Sequence, residues 1–135
     1  MLTVKQIIKE TPANIMKRSF EVQVKPMKSM LWLNKEPDTP EAYNEFIIKT
    51  SRPGIQHKIH NNIIRVFRRD RVWVTCDCDF FKYNCEFSLN RSGSTDILHS
   101  NGSMPKIKNP FLRNLACIHI ISCFMYLQRK GLIST

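Results

Sequence analysis

Residues 74–85 read VTCDCDFFKYNC, where the alternating pattern of a β-strand gives way to an aromatic, helix-like run. Alternate side chains of a strand point to the same side, so every second residue shares a face. Four residues at this spacing share one face of the predicted strand: Val72, Val74, Cys76 and Cys78. The stretch therefore predicts two cysteines that face the same way where the strand ends.

The sequence on either side extends this strand into a hairpin and a helix. Ile64 and Val66 alternate in the same way on an earlier strand, and the RRDR segment at residues 68–71 forms the turn. Beyond the cysteines, Asp79 is the predicted N-cap of a helix that ends at the Ser-Gly pair closed by Gly93. We expect the strand–turn–strand–helix unit to form the centre of the fold.

The rest of the chain adds further predicted elements. Four further elements are predicted. The first two are a helix capped by Thr3 and a strand over residues 20–28 with a stop or edge at Pro26. The others are a helix capped by Thr39 that carries Tyr43, Phe46 and Ile47 on one stripe, and a last helix over residues 115–130 closed by Gly131. Together they predict an α+β fold, a small antiparallel sheet or hairpin packed with helices, with all five cysteines in its C-terminal part. We expect residues 1–55 to form an N-terminal α/β extension packed on that part, residues 56–135, in one globular unit.

Charge is the most unusual property of the composition. The 135 residues include 21 Lys and Arg against 11 Asp and Glu, a formal net charge of +10 with a pI near 9.7. Such a surface favours nucleic acid or an acidic protein partner, and a basic subunit neutralised inside an assembly is the alternative. The longest apolar run, Leu115–Leu127, is interrupted by His119 and Ser122 and is too short for a membrane span.

Five cysteines in a chain without a visible secretory signal predict a reducing compartment and metal ligands before disulfides. Cys117 and His119 repeat the one-residue spacing of the first pair. Residues at i and i+2 of a helix lie about 200° apart, so this second pair can share an ion only if Cys117 lies at or before the first turn. The four residues are therefore candidate ligands of one tetrahedral zinc ion.

An alternative ligand set remains open at this point. His119 and Cys123 are four residues apart and would share a helix face if the last helix began before Cys117. Otherwise we expect Cys85 and Cys123 to be buried thiols. We also expect surface or loop positions for the histidines His57, His60 and His99, and core positions for the aromatic residues Trp73, Phe80 and Phe81.

The order Cys76-x-Cys78 and then Cys117-x-His119 resembles the SWIM zinc finger, in which the first pair lies at a β-hairpin and the second at a helix start. The likeness is closer to the phage-encoded branch, whose members carry an aromatic helix after the first pair, as DFFKYNCEFSL does here. They also carry an SNG…P…NP connector, here Ser100-Asn101-Gly102, Pro105 and Asn109-Pro110. The resemblance covers about residues 60–128 and implies that the C-terminal part, residues 56–135, is a SWIM-like zinc-binding part stapled by the ion. Asp79 and Ile118 depart from the family's common proline and lysine without affecting the ligands.

The resemblance implies a structural zinc site, because four protein ligands leave no open position for catalysis. No phosphate-binding glycine loop or paired-histidine motif indicates an enzyme. We expect a structural protein of a bacteriophage particle, made in the host cytoplasm, in a head, neck or tail component, without membrane or small-molecule partners. Its partners are other virion proteins or packaged DNA; the alternative is a nucleic-acid-binding module in the infected cell. The candidate contact residues are Arg65, Arg68, Arg69, Arg71, Lys106, Lys108 and Arg113.

Overall fold

An antiparallel sheet forms one layer of the molecule in the computed structural model, which describes residues 1–30, 42–52, 58–96, 109 and 111–133, except for the side chains of 28–30. Its four strands lie side by side in chain order: β1 Gln23–Met30, β2 Asn44–Ser51, β3 Ile59–Val66 and β4 Val72–Cys76. The described helices are α1 Val4–Glu10, α2 Ala13–Arg18, α3 Glu86–Arg91 and α4 Ile118–Arg129. Helix α4 packs against all four strands, and the combination confirms the predicted α+β class.

The predicted hairpin is present as β3 and β4. Ile64 pairs with Val74 and Val66 with Val72, and these four side chains are buried. A short 3-10 turn, Arg68–Asp70, joins the strands, and Arg69 and Asp70 adopt positive φ angles of 62° and 57°. The register follows from the alternation, because a slip by one residue would turn every apolar side chain away from the core.

The helix predicted after Thr39 is wrong for the residues that the structure describes, because Asn44–Ser51 is strand β2. Phe46 and Ile48 are buried at a spacing of two, which is the period of a strand and not of a helix. The aromatic and β-branched residues favour a strand that β1 and β3 flank on both sides. Thr39 and Pro40 themselves lie outside the described residues.

The start of β1 also differs from the prediction. Phe20 lies in a 3-10 turn, Ser19–Glu21, and its side chain is 75% exposed, whereas the strand begins at Gln23. The turn continues α2, a helix that we did not predict, and the Ser19 hydroxyl donates a hydrogen bond to the Met16 carbonyl. Pro26 lies in this edge strand of the described sheet beside an irregularity in the register, as expected for a residue without an N–H group.

The first and last helices begin and end for local reasons. Thr3 and Gln6 form a reciprocal capping box at α1, which confirms the predicted cap. Helix α4 begins at Ile118, three residues later than predicted, because the preceding chain is extended and the Ala116 N–H donates to the Thr11 hydroxyl. The helix ends before Gly131, whose φ is 71°, as predicted.

The outer edge of β4 is covered by two separate segments of chain. The Val72 N–H donates to the Leu2 carbonyl and the Val74 N–H donates to the Ser94 carbonyl, both at 2.8 Å. The Leu2 N–H in turn donates to the Ser94 hydroxyl. These bonds satisfy an edge that would otherwise be open to pairing with another chain. The predicted domain boundary at 55 and 56 lies outside the described residues, and the one sheet contains strands from both sides of it.

Candidate metal centre

Four side chains meet where β4 ends and two helical segments begin. The sulfur atoms of Cys76, Cys78 and Cys117 and one ring nitrogen of His119 all lie within 4.8 Å of one another. The four residues are 0%, 4%, 0% and 7% exposed, respectively. Such a buried cluster of three sulfurs and one imidazole can hold a metal ion.

The first pair of sulfurs converges because the backbone changes conformation between them. Strand β4 ends at Cys76, and a helical segment starts directly after Cys78, with a π-helical turn at Phe81–Cys85 ahead of α3. The Phe81 N–H points at the Cys78 sulfur at 3.3 Å, and the Lys82 N–H donates to the Cys78 carbonyl. Cys78, and not Asp79 as predicted, therefore caps this segment.

The second pair converges because Cys117 is the N-cap of α4. Its backbone is extended, with φ −78° and ψ 169°, while its carbonyl accepts the helical bond from the Ile121 N–H at 3.0 Å. This meets the condition that Cys117 precede the first helical turn. The alternative with Cys123 required an earlier helix start, and Cys123 is buried in the core outside the cluster.

The electrostatics of the three thiols favour a cation between them. Hydrogen bonding to Cys117 and Cys78 raises the pKa of Cys76, whereas hydrogen bonding from Cys117 and Cys76 lowers the pKa of Cys78. Burial raises the pKa of Cys117 well above its ordinary value. Thiols this close together and this deeply buried oppose one another's ionisation, and a bound dication would let all three cysteines ionise.

His119 supplies an independent test of whether a metal fits. Its Nδ1 atom is buried and has no hydrogen-bond partner among the residues that the structure describes. A buried polar atom without a partner costs about 1–3 kcal/mol. The cluster places a ring nitrogen of the same histidine among three sulfurs, and this donor set fits the ion that the spacing predicts.

Two neighbours of the cluster were not predicted as part of it. His60, expected in a surface or loop position, lies on β3 with its side chain only 12% exposed, and its ring centroid is 4.3 Å from that of His119. Its Nδ1 lies 2.9 Å from an oxygen of Asp77, the residue between the two ligands of the first pair. The hairpin register contains part of the signal that was missed: Asn62 pairs with Cys76 at the end of β4, and His60 lies two residues away from Asn62 on β3.

A groove of about 290 Å³ borders the cluster on one side. Three of the four candidate ligands, Cys78, Cys117 and His119, form part of its wall, and His60 also lines it. The candidate ligands are buried, and this groove gives an opening beside three of them.

The predicted contact residues lie mainly at the other end of the hairpin. Arg65 is held by Glu45 at 2.7 Å and stacks over the Tyr43 and Trp73 rings. Arg68 and Arg69 are exposed in the turn, Arg71 is half-buried and Arg113 is exposed. Lys106 and Lys108 lie outside the described residues, as do His57 and His99.

The remaining predictions concern buried thiols and aromatic side chains. Cys85 and Cys123 are fully buried, as predicted, and burial raises the pKa of both thiols. Phe81 is fully buried and Trp73 half-buried, but the core position predicted for Phe80 is wrong, because its side chain is 40% exposed. Phe80 lies on the outer side of the first helical turn, where it lines the groove.

No protein-family model, curated protein or solved structure matches the chain. Within the described part of the chain, every helix is too short or too polar to cross a lipid bilayer.

Proposed function

We propose that the chain is a zinc-binding protein whose ion is structural. The observation that supports it is the buried tetrad of Cys76, Cys78, Cys117 and His119. A tetrahedral zinc ion with bonds of about 2.3 Å to sulfur places its sulfurs about 3.8 Å apart, which the spread of the cluster accommodates. Thiolates with one imidazole in a tetrahedral arrangement favour zinc over the hard cations, which prefer oxygen ligands.

We further propose that the site is a zinc finger of the SWIM type. The order Cys-x-Cys…Cys-x-His supports this, as does the placement of the first pair at the end of a hairpin strand and the second at a helix start. With four protein ligands present, a bound ion keeps no open position for a substrate, so the proposed function is not enzymatic.

The biological setting that we propose is a bacteriophage particle, in which the chain is a head, neck or tail component. The resemblance to the phage-encoded SWIM branch supports this setting, together with the charge. Three deprotonated cysteines and one dication together change the formal charge of +10 by minus one, to about +9. A chain of that charge repels its own copies unless a neighbour or packaged DNA supplies the opposite sign.

The second candidate function is a nucleic-acid-binding module that acts in the infected cell. The exposed arginines in the β3–β4 turn favour it, because a basic turn projecting from a sheet can reach a phosphate backbone. Arg65 is the least suited of the predicted contacts, because Glu45 already pairs with its guanidinium group.

Two measurements test these proposals. Native mass spectrometry of the purified chain should show one zinc ion per molecule that is lost on treatment with a strong chelator. Peptide mass spectrometry of purified particles should find the chain in stoichiometric amounts. A chain without zinc would exclude the zinc site, and a chain absent from the particle would exclude the virion role and favour the second candidate.

A further inference from the structure

The carboxylate of Asp77 ties the turn between the first two ligands to the neighbouring strand. One carboxylate oxygen accepts hydrogen bonds from the His60 Nδ1–H at 2.9 Å and from the Asn61 N–H at 3.2 Å. The other accepts from the Asn61 side-chain amide at 3.2 Å. Three bonds from β3 therefore fix a residue whose two chain neighbours, Cys76 and Cys78, are candidate ligands.

His60 connects this turn to the second ligand pair. A carboxylate only accepts, so the His60 Nδ1 carries the hydrogen that Asp77 binds, and this bond sets the plane of the imidazole. The same ring packs against His119 with a centroid distance of 4.3 Å and an interplanar angle of 46°. Strand β3 therefore contacts both the turn between the first pair of candidate ligands, at Asp77, and the imidazole of the second pair, at His119.

The position of His60 also bears on how an ion reaches the cluster. The groove beside the cluster is lined by His60 together with Cys78, Cys117 and His119. An ion entering or leaving by this route passes the His60 ring. The residue that packs against His119 therefore also forms part of the wall of the opening.

We propose that Asp77 and His60 are positioning residues of the metal centre, which hold the Cys76–Cys78 turn and the His119 ring in place and slow exchange of the ion through the groove. This inference rests on the proposed function of zinc binding. Partners that orient metal ligands typically change metal affinity by about 10–100-fold when they are removed. We expect an effect of that size, with the larger part in the dissociation rate.

The experiment measures the rate at which zinc passes from the holoprotein to a chromophoric chelator in excess. Asp77→Ala and His60→Ala should each release zinc about 10-fold faster or more than the wild type. The matched control is Asp79→Ala, which removes the same charge one residue to the other side of Cys78. Asp79 is exposed and lines the same groove, but it makes no hydrogen bond or ion pair with another described residue. This variant therefore shows what the loss of a charge in the groove wall does by itself, and it should release zinc more slowly than Asp77→Ala and His60→Ala do.

A second control separates positioning from a general loss of stability. Glu45→Ala breaks the ion pair with Arg65 near the opposite end of the hairpin, and it should lower the melting temperature without accelerating zinc release. Asp77→Asn retains an oxygen that can accept from the Asn61 N–H and should restore part of the slow release.

Each outcome decides between the two proposals. A wild-type chain that binds no zinc contradicts the proposed function itself. A wild type that binds zinc but releases it as fast as Asp77→Ala and His60→Ala do contradicts only the positioning role. Equal acceleration by Glu45→Ala or Asp79→Ala also contradicts it. If Asp77→Ala does not fold, the comparison of His60→Ala with the wild type and Glu45→Ala decides alone.

Discussion

Cys117 and Cys123 are both fully buried sulfurs, one at the N-cap and one in the middle of α4. They differ in their neighbours, because Cys117 lies among other ligand atoms and Cys123 packs in the hydrophobic core. Composition and burial cannot separate a ligand cysteine from a core cysteine in this chain. The position of each cysteine relative to the first turn of α4 separates the candidate ligand from the core cysteine.

This contrast gives a prediction at the scale of single residues. Cys117→Ser should abolish tight zinc binding, because a hydroxyl replaces one of three thiolate ligands. Cys123→Ser should leave zinc affinity nearly unchanged, although a buried hydroxyl without a partner should lower stability by about 1–3 kcal/mol. Competition with a chelator of known affinity measures the first effect and chemical denaturation the second. Loss of zinc in Cys123→Ser together with its retention in Cys117→Ser would contradict this prediction and show that Cys123, not Cys117, is the fourth ligand.

The cluster of candidate ligands could be predicted from spacing alone, whereas its surroundings could not. Cys-x-Cys at a strand end and Cys-x-His at a helix start each place two side chains on one side of a turn. His60 shows the limit, because its role depends on the β3–β4 register and on the Asp77 contact, and a histidine in a polar stretch carries no such information by itself. The cap at Cys78 instead of Asp79 was missed because a thiol is an uncommon capping group.

At the scale of elements, β2 shows why the segment after Thr39 was predicted wrongly. A threonine followed by a proline, which is a helix start signal, precedes this segment. Its apolar residues are so few that their spacing fits both the 3.6-residue period of a helix and the two-residue period of a strand. The structure resolves the ambiguity through partners: β2 has hydrogen-bonded neighbours on both sides, and Phe46 and Ile48 reach the core together. Tertiary pairing of this kind overrides local propensity and is not visible in a single segment.

The two helical segments that start at ligand residues give an element-scale prediction. Removing zinc should lower the protection of the Phe81, Lys82 and Ile121 amides from hydrogen exchange, because their acceptors belong to Cys78 and Cys117. The β1–β2 ladder should keep more of its protection, since none of its residues is a ligand. Binding free energy at such sites is largely folding free energy, so chelation should loosen the fold from Val74 onward.

Hydrogen exchange followed by mass spectrometry, with and without chelator, makes the comparison. An unchanged exchange pattern in a chain that has lost its zinc would show that the ion does not stabilise these helix starts. A uniform loss of protection, equal in β1–β2 and in the ligand segments, would show that the whole chain unfolds as one unit without the ion.

At the scale of the whole molecule, the excess of basic residues is the feature that the fold alone does not explain. Some of that charge is used internally, as at Arg65 with Glu45 and Arg52 with Glu21. The exposed arginines of the β3–β4 turn are the proposed contact surface. A protein partner and a DNA partner would differ in how strongly the affinity for this surface depends on salt concentration.

If the partner is duplex DNA, the logarithm of the binding constant should fall with the logarithm of salt concentration by about 0.9 per phosphate contacted. Replacing Arg68, Arg69 and Arg71 together by glutamine should then flatten this slope. Fluorescence anisotropy with a labelled duplex at several salt concentrations gives both slopes. If the partner is a virion protein, DNA binding should be weak and the replacement should instead impair assembly.

A matched triple variant removes the same charge from another part of the surface. Lys5, Lys9 and Lys17 are exposed on α1 and α2, and their replacement by glutamine should leave the salt slope at its wild-type value. Equal flattening by both variants would indicate that overall charge and not the turn governs binding. Tight, sequence-selective DNA binding by a monomer that is absent from the particle would contradict the structural role.

X-ray absorption at the zinc edge of the purified holoprotein tests the assignment of the four ligands directly. We expect one zinc ion per chain with three sulfur ligands at about 2.3 Å and one nitrogen ligand at about 2.0–2.1 Å. The Cys117→Ser chain should lose this sulfur-rich shell, and the Cys123→Ser chain should retain it unchanged. A shell of four sulfurs, a shell of nitrogen and oxygen only, or a chain that carries no zinc would contradict the assignment of Cys76, Cys78, Cys117 and His119 as the ligands.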